Sequence, residues 1–308
     1  MITQPVEIWR LLKLSISSWS EDRAPSMGAA LAYYTAFSLA PVLLIVITIA
    51  GLVFGRDAAQ GALFHEIAGL VGPKAGEAIQ AMLQNAYKTG GGVAGTIAGI
   101  GALLVGATTV FVELQDDLDL IWKTEKRTGS GIWNFIRSRL LSFGMILSIG
   151  FLLIVSLVVT SAVAAIGTIW NNTFVGMEIL LQILNFLVSF GIITLLFATI
   201  YKVLPNTRIA WSDVWIGAGV TSLLFAIGKF AIGLYLGKSA ISSSYGAAGA
   251  FAVLLIWIYY STQIFLLGAE FTYNYSHDRG SHAGAEKRTA AEAEVDEQNR
   301  HGTRASAA

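Results

Sequence analysis

Residues 246–272 read GAAGAFAVLLIWIYYSTQIFLLGAEFT and carry one charged side chain, Glu270. A bilayer's hydrocarbon core is about 30 Å thick and is crossed by roughly 20 apolar residues in helix, so this stretch is long enough to span it. Runs of the same kind occur at 28–54, 93–113, 140–164, 179–203 and 212–236. Lipid offers backbone N–H and C=O groups no partner, which leaves helices and closed barrels as the spanning structures. These runs lack the alternation over about ten residues that marks a barrel strand. The expected fold is therefore all-α: a polytopic membrane helix bundle with six transmembrane helices.

Composition agrees: 55% of the 308 residues are hydrophobic and 13% charged, whereas a soluble domain is about a quarter charged. Twenty basic and twenty acidic residues cancel, so no whole-chain charge favours nucleic acid. Cysteine is absent, which removes disulfide and thiolate chemistry. No cleavable signal peptide is expected, because a mostly polar segment precedes the first apolar run.

Orientation follows from the basic residues. Arg10, Lys13 and Arg23 precede the first span, and Lys123, Lys126, Arg127, Arg137 and Arg139 fill the second connection. Lys202 and Arg208 lie in the fourth, and Arg279, Lys287, Arg288, Arg300 and Arg304 in the tail. Against these fifteen, the opposite side has Arg56, Lys74, Lys88 and Lys238. The positive-inside rule then puts both termini on the cytoplasmic side. The domain reading is a cytoplasmic segment 1–27, a transmembrane domain 28–276 and a disordered cytoplasmic tail 277–308. The long outer loop 55–92 shows helical spacing at 57–71 and 73–88, around Gly72-Pro73, and is expected to lay two short amphipathic helices over the outer face.

Polar residues inside spans are costly and are the default functional candidates. Toward the outer side, Glu178, Gln182 and Asn185 share one face of the fourth span, and Lys229 lies within the fifth. They line one cavity, or Lys229 snorkels to the surface. Toward the cytoplasm, Tyr33, Tyr34, Glu113, Tyr201, Lys202 and Glu270 fall at similar depth, with Gln263 about two turns deeper. That group suits both poles of a zwitterion or a lipid head group; an interfacial aromatic belt with structural ion pairs is the alternative. The acids Glu113, Asp116, Asp117 and Asp119 end a helix at the unfavourable pole of its dipole, where the basic residues of the same loop are the expected partners. Pro41 interrupts the first span, a feature of kinks and hinges. Glycines concentrate in the spans, Gly217, Gly219, Gly228 and Gly233 in the fifth, as close helix packing in lipid requires.

Catalytic patterns are missing. His65, His277, His282 and His301 lack metal-ligand spacing, and neither a Walker loop nor GxSxG occurs. The chain is expected not to be an enzyme and to need no cofactor or metal.

Three stretches together resemble the YihY/virulence factor BrkB family of bacterial inner-membrane proteins, once labelled ribonuclease BN. They are MGAALAYYTAFSLAPVLLI (27–45), ELQDDLDLIWKTEKRTG (113–129) running into RSRLLSF, and YKVLPNTRIAWSDVWIGAG (201–219) followed by SSYGAAGAFAVLLIWIYYSTQIFLLGAEF. The resemblance implies six transmembrane helices with cytoplasmic termini and no established enzyme. Its motif positions here are Tyr33, Tyr34, Pro41, Glu113, Trp122, Pro205, Asn206, Arg208, Tyr245, Gly246, Trp257, Gly268 and Glu270. What it implies for function is transport, with osmolyte export and lipid translocation both attached to members. The expectation is an inner-membrane secondary transporter or exporter of a small zwitterionic or amphipathic solute. A lipid translocase or scramblase and a non-catalytic envelope scaffold are the alternatives. Membrane lipids and a small-molecule or lipid substrate are the expected partners, without nucleic acid, and a homo-oligomer is left open.

Overall fold

The structure is a computed structural model that describes residues 5–55, 109–124, 177–238 and 241–283, with 60–61, 64, 76–77, 79–81, 83 and 144. Its elements are α1 (Pro5–Glu21), α2 (Ala24–Phe54), α3 (helical over 109–121), α4 (Met177–Val203), α5 (Trp211–Lys238) and α6 (Ile241–Asp278). Among the described residues no strand occurs. Ile183–Val203, Trp211–Tyr235 and Phe251–Asp278 are long and apolar enough to cross a membrane, and they coincide with the last three expected spans. α2 contains the first. The spans expected at 93–113 and 140–164 lie outside the described residues, except that 109–113 and Gly144 are helical.

α6 is the organising helix: α1, α2 and α5 pack on it, and α4 packs on α5. The α5–α6 contact is built from small residues. A Cβ on Gly217 would meet Thr272 Cβ at 2.7 Å, and one on Gly268 would meet Thr221 Cβ at 2.8 Å. Each threonine donates its hydroxyl to the glycine carbonyl one turn back on its own helix, Thr221 to Gly217 and Thr272 to Gly268, both at 2.7 Å. The polar atom is satisfied locally, and the neighbouring backbone can come close. In lipid such contact supplies the association energy that the hydrophobic effect supplies in water. Gly228 similarly admits Ile264 and Tyr260, whereas Gly219 and Gly233 face open space.

Two boundaries differ from the sequence expectation. The segment before the first span forms α1, joined to α2 by Asp22 and Arg23, with Arg23 left-handed at φ 59° and Pro25 in the first turn of α2. α6 runs on to Asp278, and residues 279–283 turn back so that Ser281 donates to Asp213 Oδ2 from its backbone N–H (2.9 Å) and its hydroxyl (2.7 Å). The polar tail is therefore held at its start; residues beyond 283 lie outside the described residues. In the outer loop, the described residues of 76–83 are helical, and Ile79 and Leu83 are buried with Leu43, Ile47, Ile232 and Val253. This part is packed into the bundle end, because its apolar face is taken up by α2, α5 and α6.

The glycine contacts make a paired prediction. Gly268→Ala is expected to cost about 1–3 kcal/mol of stability through overpacking, read as a lower thermal midpoint in detergent. Gly219→Ala, whose methyl enters open space, should leave that midpoint unchanged.

Candidate functional site

Polar side chains gather at two depths. A half-open cavity of about 510 Å³ lies between α4 and α5, with Trp257 of α6 in its lining. Phe186, Phe190, Phe225 and Phe230 make its wall apolar, and Ser189, Ser222 and Lys229 are its polar points. Ser222 Oγ is buried without a hydrogen-bond partner among the described residues. Lys229 stands nine residues before the end of α5, about 13 Å at 1.5 Å per residue, on a helix long and apolar enough to cross a membrane, where a charged side chain is costly. Of the outer-side stripe, Asn185 is exposed, and Glu178 and Gln182 have side chains outside the described residues. Ser189 continues that stripe by one turn into the cavity, a step legible from the i, i+4 spacing.

At the α1 end, Glu270 is 0% exposed, and neither carboxylate oxygen has a hydrogen-bond partner among the described residues. The carboxyl of Asp22 adjoins it, with Lys123 and Glu21 nearby. Asp22 is delivered by the left-handed Arg23, and Lys123 itself is left-handed at φ 49°, conformations that cost about 1–2 kcal/mol each outside glycine. Lys123 Nζ lies 5.2 Å from the Tyr273 ring centre. In the adjoining core, the indole N–H groups of Trp19 and Trp122 are buried without acceptors among the described residues. Two carboxyls around one lysine form a place where a proton or cation can bind and leave.

The expected cytoplasmic-side group is only partly assembled. Tyr201 is buried for structural reasons: its phenol donates to the Phe265 carbonyl at 2.7 Å and lies 3.1 Å from Thr221 Oγ1. Tyr33 is 58% exposed and touches Tyr34 and Phe37, an outward placement suited to lipid; Tyr34 is half-buried. Lys202 donates to the Ile209 carbonyl and covers Trp211, fastening its own loop rather than joining Glu270. Glu113 is half-buried on α3 beside Asp117. Gln263 packs on Gly28 and donates to the Ala24 carbonyl at 3.4 Å. Pro41 lies inside α2, which continues through it. Asp22 was missed because only the packing of the α1–α2 turn against α6 brings it to Glu270.

The profile of the virulence factor BrkB family matches residues 15–294. The chain belongs to the BrkB family. Relatives are named UPF0761 membrane proteins. That of Aeromonas salmonicida is 28% identical over 263 residues, covering 83% of this chain and 85% of its own length. That of Acinetobacter baylyi is 28% identical over 253 residues, and that of Albidiferax ferrireducens 30% over 261. In both cases the match covers 82% of this chain and 58% of the relative's length. No solved structure matches.

In this BrkB-family chain two of the quoted motifs meet. Asp119 of ELQDDLDL accepts from the Asn206 backbone N–H at 2.7 Å and from its side-chain amide at 2.6 Å. The acid at the unfavourable helix end is thus answered by the LPNTR loop; of the basic residues of its own loop, Lys126, Arg127, Arg137 and Arg139 lie outside the described residues. Asp117, 6% exposed, has one oxygen buried without a partner among the described residues. Burial, with Glu113 and Asp116 beside it, pushes its carboxyl up to about 7 from the ordinary 3.8. The folded state therefore holds this proton between pH about 4 and 7 where the unfolded chain does not. The resulting stability is complete below the ordinary value and is lost as pH rises through about 7. Asp117→Asn should raise the thermal midpoint by about 2–4 °C at pH 8 and change it little at pH 4; equal shifts at both pH values would contradict the buried protonated carboxyl.

Proposed function

We propose that this protein is a non-catalytic secondary transporter of the bacterial inner membrane that moves an amphipathic solute bearing an anionic or zwitterionic head group. In this reading six helices span the bilayer, and the α1 end, with both termini, faces the cytoplasm, supported by the fifteen-to-four bias of basic residues. The observation that carries the proposal is the cavity: phenylalanine walls for an apolar body, Lys229 for an anionic group, and Ser189 and Ser222 for further polar contact. Trp257 in that cavity and Glu270 at the carboxyl pair lie on the same helix, about 20 Å apart at 1.5 Å per residue. α6 is thus a direct link between a solute site and a proton or cation site. A scaffold needs no such cavity.

Lipid translocation is the second reading, favoured by one feature: Phe186, Phe230 and Leu234 line the cavity and are also among the most exposed apolar residues. The mouth of the cavity is thereby continuous with a lipid-facing surface. Reconstitution into liposomes with a labelled zwitterionic osmolyte or a labelled anionic lipid tests both. Lys229→Ala is expected to reduce flux about tenfold, the loss of one charge-assisted contact of roughly 1.4 kcal/mol, and Glu270→Gln to remove its pH dependence. Lipid flipping without osmolyte flux selects the second reading; flux unaffected by either substitution defeats both.

A further inference from the structure

α1 has three faces. At 3.6 residues per turn its buried face is centred on Leu11 and Ser15, which turn toward the bundle. Arg10, at the edge of that contact, donates to both oxygens of Asp278 at 2.7 and 2.6 Å. Farther along, Ser18 accepts from Asn274 at 3.3 Å. Beside the buried face, Ile8, Leu12, Ile16 and Trp9 fall within an arc of about 100°. This strip is not covered by the bundle: Trp9 is 61% and Ile16 53% exposed. Lys13, Ser17 and Ser20 form the third face, fully exposed.

A helix of a soluble protein has no use for an uncovered apolar strip of this size, and the strip has a natural neighbour. α1 passes through Asp22 and Arg23 into α2, whose Tyr33 and Phe37 are exposed on the bilayer-crossing segment. Arg10–Asp278, Ser18–Asn274 and the approach of Asp22 to Glu270 fasten α1 along the end of α6. At the polar edge of the strip, Lys13 Nζ lies 5.7 Å from the Trp9 ring centre, pairing a cation with an indole in the way membrane surfaces favour.

We propose that α1 is an interfacial helix whose Ile8–Leu12–Ile16–Trp9 strip is seated in the head-group region of the bilayer, with its polar face in water. The occupant of the strip is lipid, and the helix is a membrane-surface anchor for the end of α6 that carries Glu270. Interfacial helices of this type bury an apolar face about 5–10 Å into the boundary between head groups and acyl chains. The assignment is independent of what the cavity carries.

The absence of cysteine in the native chain makes the test direct. Trp9→Cys, Ile16→Cys, Lys13→Cys and Ser17→Cys are each spin-labelled in the full-length protein in liposomes of phosphatidylethanolamine and phosphatidylglycerol. Labels at 9 and 16 are expected to collide with oxygen, relative to a water-soluble nickel chelate, several-fold more than labels at 13 and 17. Equal, water-like accessibility at all four positions overturns the proposal. So does spin–spin broadening at 9 or 16 that disappears on dilution with unlabelled protein, which would place a second copy on the strip. Brominated lipids give a label-free check: they should quench the native protein more than Trp9→Phe, and equal quenching would count against seating in lipid.

Discussion

The close contact between α5 and α6 is the constraint on which the other arrangements depend. Gly217 faces Thr272 and Gly268 faces Thr221, so each helix offers a notch to the other's threonine one turn from its own. The missing Cβ at Gly268 also makes room for the Tyr201 phenol, which would otherwise lie 2.7 Å from it. That phenol carries α4 into the contact through Phe265 and Thr221. The cavity between α4 and α5 lies beside that junction: Ser222 lines it and directly follows Thr221 of the close contact.

Glu270 depends on a different set of contacts. It lies two residues after Gly268, where α5 occupies one side of α6, and the α1–α2 turn covers the other. α1 is fastened there by Arg10–Asp278 and Ser18–Asn274. The turn of Asp22 and Arg23 then has little freedom, and the left-handed Arg23 is the local concession that brings a second carboxyl to the first. Glu270 is thus buried with a second carboxyl and one lysine beside it.

The described spans were legible because hydrocarbon leaves the backbone little choice: α2, α4 and α5 start and stop within a few residues of the apolar runs, while α6 overruns its run at both ends. α1 was not, since its apolar residues serve two surfaces and do not form one clean stripe; Leu11 turns inward while Trp9 and Ile16 turn out. Among candidate residues, Glu270 is buried and Lys229 lines a cavity. Tyr33 and Tyr201 show the limit of composition. Both are tyrosines that sequence position assigns to one depth, yet one faces outward and the other is locked by a carbonyl made reachable by a glycine on another helix. The partners Asp22 and Asn206 are set by contacts between elements far apart in the chain, which local spacing does not encode.

The bond between Asp119 and Asn206 joins positions 87 residues apart. During synthesis at about 5–20 residues per second, Asp119 precedes its partner by roughly 4–17 s. Throughout that interval α3 ends in a run of carboxylates whose eventual hydrogen-bond donor does not yet exist. The run lies at a helix end rather than within an apolar span, so water can hold it until the loop after α4 arrives. The lock between α3 and the loop after α4 thus closes late, and the contacts of α1 with the end of α6, which need residues up to Asp278, close later still.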